Sequence, residues 1–259
     1  MKEEKNNYSF DSKRHIHTLD GKPLTGVTTV LGIISKGDGL IQWSANMASE
    51  YIKENLRIKQ LNGDDFFTIN ESLFYKIIEE SKKAWVKKRN TAGTQGTDIH
   101  AIVEDIITDA IKNHNGYILE TKTNIKQIQY FVDWARNNKV KFLESEKNVW
   151  SKELWIGGIV DFVCEINGEV FVGDIKTAKS IYPINFWQCS AYHYCLTEMG
   201  LYDNIKGYKI IRLGKDELDV NGNIIKEGTF EVGENYSYDD NIEGFKSALT
   251  VYRKLNLIS

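Results

Sequence analysis

The sequence predicts a mixed α/β fold in which a central mixed β-sheet is flanked by helices. Two strand-like runs within residues 155–177 are joined by Asn167-Gly168, a dipeptide that is the strongest short-range signal for a β-hairpin. The second run is almost continuously apolar, as is typical of a strand covered on both faces. Amphipathic helical patterns precede and follow this hairpin, and they supply the covering layers.

The hairpin carries the candidate chemistry. Asp161 lies on its first run, and Asp174 and Lys176 lie on its second, at alternate positions that face the same side of a strand. Folding the hairpin brings the two aspartates onto neighbouring strands, where like charges repel unless a cation holds them. Oxygen ligands suit Mg²⁺ or Mn²⁺, and a lysine beside the metal fits a water or a phosphate oxygen. This is the outline of a hydrolytic site for phosphodiesters.

A surface hairpin with solvated charges is the competing interpretation, because Asp-x-Lys is a weak motif by itself. The apolar run that contains Val170, Phe171, Val172 and Ile175 weighs against it, since charges at the end of a buried strand are costly unless they are used.

The N-terminal part combines strands and helices. Residues 8–19 alternate and lead to a turn at Asp20-Gly21, and the β-branched residues 25–34 predict a strand pair that leads into a helix. Helices are predicted over residues 40–56 and 70–89.

A cluster of cations surrounds Trp85 at the end of the helix predicted over residues 70–89. It consists of Lys82, Lys83, Lys87, Lys88 and Arg89. These side chains suit phosphate binding, with an aromatic ring available for base stacking, and they equally suit a solvated helix face.

Residues 91–96 are small and predict a break before a helix over residues 97–114. His100 and Glu104 lie one turn apart on the flank of the apolar stripe of this helix, at the edge of the predicted core. A lone histidine at such a boundary is more often structural than a ligand.

The remaining pattern alternates helices and strands. The predicted elements are a helix over 124–138, a strand over 140–150 that carries Glu146, a helix over 184–199 with Gln188 and Tyr192 on one face, a strand over 208–213, a hairpin over 218–232 that turns at Asn221-Gly222, and a closing helix over 239–255.

The composition of the chain limits which classes of function it can have. The 259 residues carry a formal net charge of -3, so the chain can bind nucleic acid only through a local basic patch or with metals that offset its carboxylates. No apolar run reaches the roughly 18 residues of a membrane span, and the N-terminus has no signal-peptide core. The odd count of 3 cysteines argues against a disulfide framework and predicts a reducing cytoplasm.

Four short motifs follow one another along the chain in a specific order. The motifs are Gly-Thr-Asp-Ile-His at 96–100, Gly-Ile-Val-Asp at 158–161, Asp-Ile-Lys-Thr at 174–177 and Gln-x-x-x-Tyr at 188–192. Together they resemble the PD-(D/E)xK nuclease superfamily, in its RecB-like exonuclease branch, over roughly residues 91–213. Residues 24–43 also resemble the N-terminal part of phage-encoded members. The resemblance implies a restriction-endonuclease-like core over 93–259, with a C-terminal hairpin and helix, and an N-terminal elaboration of hairpin and helices over 1–92.

The resemblance also implies a role for each site residue. It implies Mg²⁺ or Mn²⁺ bound by His100, Asp161, Asp174 and the main-chain carbonyl of Ile175, with Lys176 and Glu146 as further catalytic residues, and with Gln188 and Tyr192 positioning DNA. Glu104 has no secure counterpart and is carried as an outer residue of the site. The imidazole must be neutral to bind a metal, so activity should fall as pH drops through the histidine range.

The implied function is a metal-dependent DNA nuclease, an exonuclease acting on linear or single-stranded DNA in recombination, repair or phage DNA metabolism. The chain lacks the four cysteines of the iron–sulfur members, so no iron–sulfur cluster is expected. A structure-specific or restriction-type endonuclease and a catalytically inactive nucleic-acid-binding homologue are the alternatives. The expected compartment is the cytoplasm of a bacterium or of a phage-infected host, and a single-strand-binding protein, recombinase or helicase partner stays open.

Overall fold

The structure is a computed structural model that describes residues 7–34, 39–58, 69–218 and 224–256. Within these ranges, the side chains of residues 39–40, 57–58, 87–98, 217–218 and 224–225 are outside the description.

The elements follow one another along the chain. The strands are β1 (Tyr8–Asp11), β2 (Ile16–Leu19), β3 (Lys22–Pro23), β4 (Thr25–Gly26), β5 (Lys141–Ser151), β6 (Ile156–Ile166), β7 (Glu169–Lys176), β8 (Ile205–Leu213), β9 (Glu217–Leu218), β10 (Ile224–Lys226) and β11 (Phe230–Asn235). The helices are α1 (Val27–Leu31), α2 (Gly39–Ile58), α3 (Glu71–Asn113), α4 (Lys126–Asn137), α5 (Pro183–Glu198) and α6 (Tyr238–Asn256).

A mixed six-stranded sheet forms the centre of the fold. Its order is β11-β8-β7-β6-β4, and β5 pairs with β6 as well. The β5–β6, β6–β7 and β8–β11 pairs are antiparallel, whereas β7–β8 and β4–β6 are parallel. The predicted α/β fold with a central mixed sheet flanked by helices is therefore confirmed.

Helices cover both faces of this sheet. On one face, α4 and the part of α3 from Ile99 onward pack on Phe142, Phe162 and Ile211. On the other face, α1, α5 and α6 pack on strand residues that include Val160 and Val172. The sheet is therefore buried on both sides, which explains why β7 reads as an apolar run.

The chain divides into two compact units, one made of Met1–Ile34 with Asp98–Ser259 and the other of Ser35–Thr97. The N-terminal segment belongs to the same unit as the central sheet because β4 pairs in parallel with the start of β6. Thr25 lies opposite Ile156, and Gly26 lies opposite Gly157. The boundary predicted from the sequence, with an elaboration over residues 1–92 and a core over residues 93–259, stays a prediction.

Two local predictions differ from the structure. The small residues 91–96 lie within the continuous helix α3 and do not interrupt it. Glycine disfavours a helix by only about 1 kcal/mol, and no proline is present to stop it. Residues 27–31 form helix α1, because Val27, Val30 and Leu31 are buried at helical spacing despite their β-branched neighbours.

The central hairpin turns at Asn167-Gly168, as its sequence predicts. Asn167 and Gly168 both adopt positive φ, 53° and 81°. This pair of left-handed residues is the type I′ pattern that matches the twist of two antiparallel strands. It fixes the register of β6 against β7, in which Cys164 lies opposite Phe171. The turn predicted at Asn221-Gly222 lies outside the described residues, although β9 and β10 pair as an antiparallel ladder.

None of the helices in the described ranges combines the length and the apolar character that crossing a lipid bilayer requires.

We expect Gly168→Ala to destabilise the protein by about 1 kcal/mol, because the left-handed conformation is unfavourable for an L-residue with a side chain. The matched control, Asn167→Gly, should change the free energy of unfolding by less than about 0.5 kcal/mol, since glycine adopts positive φ readily. Urea unfolding followed by circular dichroism measures both, and equal stability of the two variants would contradict the turn assignment.

Candidate active site

The hydrogen-bonded ladder between β6 and β7 ends just before the two aspartates. The register runs to Phe162 opposite Gly173, and the next residues are Asp161 and Asp174. There, the backbone N–H of Ile175 donates to Oδ2 of Asp161 at 2.7 Å. A side-chain carboxylate thus accepts the hydrogen bond at the point where the ladder stops, and both acids lie at one end of the hairpin.

His100 reaches this point from α3. Its Nε2 lies 3.1 Å from Oδ2 of Asp161. The side chain of His100 is 31% exposed and that of Asp161 is 13% exposed, so the pair sits at the boundary of the core. The hydrogen bond with Asp161 is the main cause that raises the pKa of His100, with burial opposing it.

Asp174 and Lys176 form an ion pair in which the lysine is partly exposed. The Asp174 side chain is fully buried, and Nζ of Lys176 lies 2.8 Å from its Oδ1 and 2.7 Å from its Oδ2. Burial raises the pKa of Asp174 to about 7, against the opposing charge of Lys176. Burial lowers the pKa of Lys176, but the charges of Asp174 and Asp161 outweigh that effect and raise it overall. The lysine therefore stays charged beside the carboxylate.

Gln188 and Tyr192 lie on α5, beneath this ion pair. The amide of Gln188 donates through Nε2 to Oδ1 of Asp174 at 2.8 Å, and its Oε1 accepts from Nζ of Lys176 at 3.2 Å. Nε2 also lies 3.1 Å from the hydroxyl of Tyr192. Gln188 is 7% exposed and Tyr192 is 2% exposed. Both side chains are thus largely buried, and their implied role in positioning DNA stays a prediction.

Glu146 faces the same site from β5 with a strained backbone. Its φ is 48°, the left-handed region, which costs a non-glycine residue about 1 kcal/mol or more. The recorded β5–β6 register passes from Ser145 opposite Phe162 to Lys147 opposite Val160, around this residue. Burial, followed by the charge of Asp161, raises the pKa of Glu146 to about 7.

Glu104, which was predicted as an outer residue of the site, lies close to His100 and Glu146. Among the side chains that the structure describes, His100, Glu104 and Glu146 each offer one ligand atom, and these atoms lie within 4.8 Å of one another. The signal was present in the sequence, because Glu104 lies one helical turn after His100 on the same face of α3. Its direction toward β5 depends on the packing of α3 and was not readable.

The group of His100, Glu104 and Glu146 could hold a metal ion, and the predicted ligands Asp161 and Asp174 are not part of that group. Carboxylate oxygens and one imidazole nitrogen are ligands that Mg²⁺ and Mn²⁺ accept. The 3.1 Å between His100 Nε2 and Asp161 Oδ2 is close to the roughly 3 Å that separates two adjacent ligands on a six-coordinate ion with bonds of about 2.1 Å. Oδ2 of Asp174 is buried and accepts no properly directed hydrogen bond, despite its short contact with Lys176. An open lone pair on a buried carboxylate is what a metal ligand requires.

The predicted cation cluster belongs to the other compact unit. Lys82 and Lys83 are exposed, and Lys82 forms an ion pair with Glu79 one turn earlier in α3. The side chains of Lys87, Lys88 and Arg89 lie outside the described residues. The cluster thus stays a prediction for phosphate binding.

Similarity to known proteins is found among solved structures only. No protein-family model matches the chain, and no curated protein matches it. Among solved structures, the chain is similar to "Crystal structure of SSO0001", with 11% sequence identity and a TM-score of 0.32, over 83% of this chain and 88% of that chain.

We expect binding of Mn²⁺ to weaken by about tenfold or more when pH is lowered from about 8 to about 6, because metal ligands must lose their protons. Asp174 and Glu146, each with a pKa raised to about 7, hold protons at the lower pH. Calorimetric titration with Mn²⁺ at both pH values measures the change. Carboxylates with ordinary pKa values near 4 would contribute almost nothing over this range, whereas protonation of His100 also weakens binding. An unchanged affinity therefore contradicts the raised pKa values.

We expect Glu146→Gln to stabilise the metal-free protein at about pH 8 and to change its stability little at about pH 5. The pKa of Glu146 is raised in the folded state, so its charge destabilises the fold only as pH rises toward about 7. The full linkage value for this shift is about 3 kcal/mol, and solvent screening at a half-buried position reduces our expectation to about 1 kcal/mol.

Urea unfolding in the presence of a chelator measures this stability at both pH values. The control is Glu165→Gln, on the neighbouring strand β6, which should stay within about 0.5 kcal/mol of the unmodified protein. Equal changes in stability for the two variants at both pH values would show that the charge of Glu146 does not destabilise the fold.

Proposed function

We propose that this protein is a metal-dependent DNA nuclease, and in particular an exonuclease that hydrolyses phosphodiester bonds in linear or single-stranded DNA. The observation that carries the proposal is the meeting of His100, Asp161, Asp174 and Lys176 at the end of the β6–β7 ladder. His100 comes from helix α3, 61 residues before Asp161, and the other three residues come from the β6–β7 hairpin. The resemblance to the RecB-like branch of PD-(D/E)xK nucleases supports the same roles.

His100, Asp161 and Asp174, with the carbonyl of Ile175, would hold Mg²⁺ or Mn²⁺. The bound ion would lower the pKa of a water molecule and polarise a phosphate oxygen. Lys176 contributes an ammonium group that is fixed against Asp174 and stays charged. Such a group orients a water molecule or stabilises the negative charge that develops on the phosphate in the transition state.

Electrostatics supports the requirement for a cation. Glu104, Glu146, Asp161 and Asp174 bring several carboxylates to one place, and a DNA phosphate is itself an anion. A divalent ion offsets both sets of charges, so a substrate phosphate can approach only in its presence. A nuclease of this kind should therefore lose activity when the metal is removed with a chelator.

We place the activity in a reducing cytoplasm. Cys164, Cys189 and Cys195 are free and buried, which agrees with a compartment in which thiols stay reduced.

The proposal is tested with end-labelled linear DNA, single- and double-stranded, and with closed circular DNA, each in Mg²⁺, Mn²⁺ or chelator. We expect cleavage of linear DNA that depends on the metal, and we expect Lys176→Ala and Asp174→Asn each to reduce the rate at least about 100-fold. The controls are Lys179→Ala and Asp203→Asn, exposed residues of the same types in the same compact unit, which should retain full rate.

Each result of this assay has a defined meaning. Cutting of closed circles would replace the exonuclease by an endonuclease of the same active site. DNA binding without any cleavage by the unmodified protein would support the inactive binding homologue. Cleavage that survives both active-site substitutions would overturn the assignment of the site.

A further inference from the structure

The buried amide of Gln188 contacts both charged groups of the Asp174–Lys176 pair. Nε2 donates to Oδ1 of Asp174 at 2.8 Å, and Oε1 accepts from Nζ of Lys176 at 3.2 Å. The two ends of one amide thus face an anion and a cation, each with the complementary dipole. Rotating the amide by 180° would turn its oxygen toward the carboxylate and its NH₂ group toward the ammonium, and both contacts would become repulsive. The charges therefore select a single orientation of Gln188.

Tyr192 supports this orientation from the next turn of α5. Its hydroxyl lies 3.1 Å from Nε2 of Gln188, where it accepts the second N–H of the amide. The ring of Tyr192 packs directly on Gly158 of β6, and a Cβ at that position would lie only 2.5 Å from Cε1 of the ring. Gly158 therefore allows the close approach that brings the tyrosine hydroxyl to the glutamine.

These contacts form a connected path from the strand to the charged groups. Gly158 admits Tyr192, Tyr192 orients Gln188, and Gln188 holds Asp174 and Lys176 at a fixed separation. Asp174, Gln188 and Tyr192 are buried, and Lys176 at the end of the path is partly exposed. A buried hydrogen bond is electrostatically stronger than one in water, and a missing one is costly. Gln188 is therefore placed to act on the charged groups that it contacts.

We infer that Gln188 is a positioning residue, oriented by Tyr192, which fixes the carboxylate of Asp174 and the ammonium of Lys176 for metal binding and for catalysis. This inference rests on the proposed function, because it assigns a role within the same site. It differs from a DNA-contacting role in what it predicts: the metal affinity and the rate of the chemical step depend on Gln188, and the affinity for DNA does not.

The test uses Gln188→Met, which keeps the length of the side chain and removes its hydrogen bonds to Asp174, Lys176 and Tyr192. Outer residues that hold metal ligands typically affect metal affinity or activity 10- to 100-fold. We therefore expect Mn²⁺ affinity, measured by calorimetry without DNA, to fall about tenfold, and kcat to fall about 10- to 100-fold. The dissociation constant for end-labelled DNA in Ca²⁺ should stay within about twofold, because no DNA contact is lost.

The matched control is Gln127→Met. Gln127 is also a buried glutamine on a helix, and its Nε2 donates to a carboxylate, Oδ1 of Asp216, at 2.7 Å. This substitution removes a comparable buried hydrogen bond away from the site. It should lower thermal stability and leave Mn²⁺ affinity and kcat unchanged. A loss of Mn²⁺ affinity equal to that of Gln188→Met would overturn the inference, because it would reflect general destabilisation.

A second substitution keeps the test decisive if Gln188→Met does not fold. Tyr192→Phe retains the ring that packs on Gly158 and removes only the hydroxyl, and we expect about a fivefold loss of Mn²⁺ affinity from it. Mn²⁺ affinities that stay unchanged in the variants that fold, with weaker DNA binding, would overturn the inference in favour of DNA contact.

The metal measurement also separates this inference from the proposed function. If the unmodified protein binds Mn²⁺ but cleaves no DNA, and Gln188→Met weakens that binding, the positioning role stands and the nuclease proposal fails. If the unmodified protein cleaves DNA and Gln188→Met leaves Mn²⁺ affinity and kcat intact, the nuclease proposal stands and the positioning role fails.

Discussion

The arrangement of the candidate site depends on one ion pair at the end of a strand, between Asp174 and Lys176. Asp174 has no exposed surface, and a lone carboxylate in that position would cost several kcal/mol. Lys176 and Gln188 offset that cost by contacting both of its oxygens and by satisfying each other. Such a pair adds little net stability compared with apolar side chains of the same size. Its retention at the centre of the sheet is explained better by chemistry than by folding.

The acidic side chain of Glu146, which faces the same site, also carries an energetic cost. Glu146 has a left-handed backbone, and burial and neighbouring carboxylates raise its pKa to about 7. Strain and like-charge repulsion at one residue both oppose folding, and they persist only where the surrounding structure imposes them. The long ladder of β5 against β6 supplies that constraint on both sides of Glu146. Stability in the sheet therefore supports a locally destabilised site.

The sequence predicted the parts of this arrangement that depend on local chemistry. Asn167-Gly168 specifies a turn by itself, and from that turn the pairing of Asp161 and Asp174 on adjacent strands follows directly. The burial of Gln188 and Tyr192 was not predictable in the same way, because it depends on which face of α5 meets the sheet. The inclusion of Glu104 depends on the packing of α3 against β5, a contact between elements that no local pattern encodes. Residues 27–31 show the same limit, since burial at helical spacing outweighs their strand-forming composition.

The end of the β6–β7 ladder explains why residues from both helical layers meet in one place. A continuous antiparallel ladder would separate the two faces of the sheet, with α3 on one side and α5 on the other. Because the ladder stops at Phe162 and Gly173, the carboxylate of Asp161 accepts the N–H of Ile175 and also contacts His100 from the α3 layer. Asp174 and Lys176 simultaneously contact Gln188 from the α5 layer. The gap in backbone pairing is thus what joins the two layers, and the hydrogen bond from Ile175 to Asp161 keeps that gap from leaving a buried N–H unsatisfied.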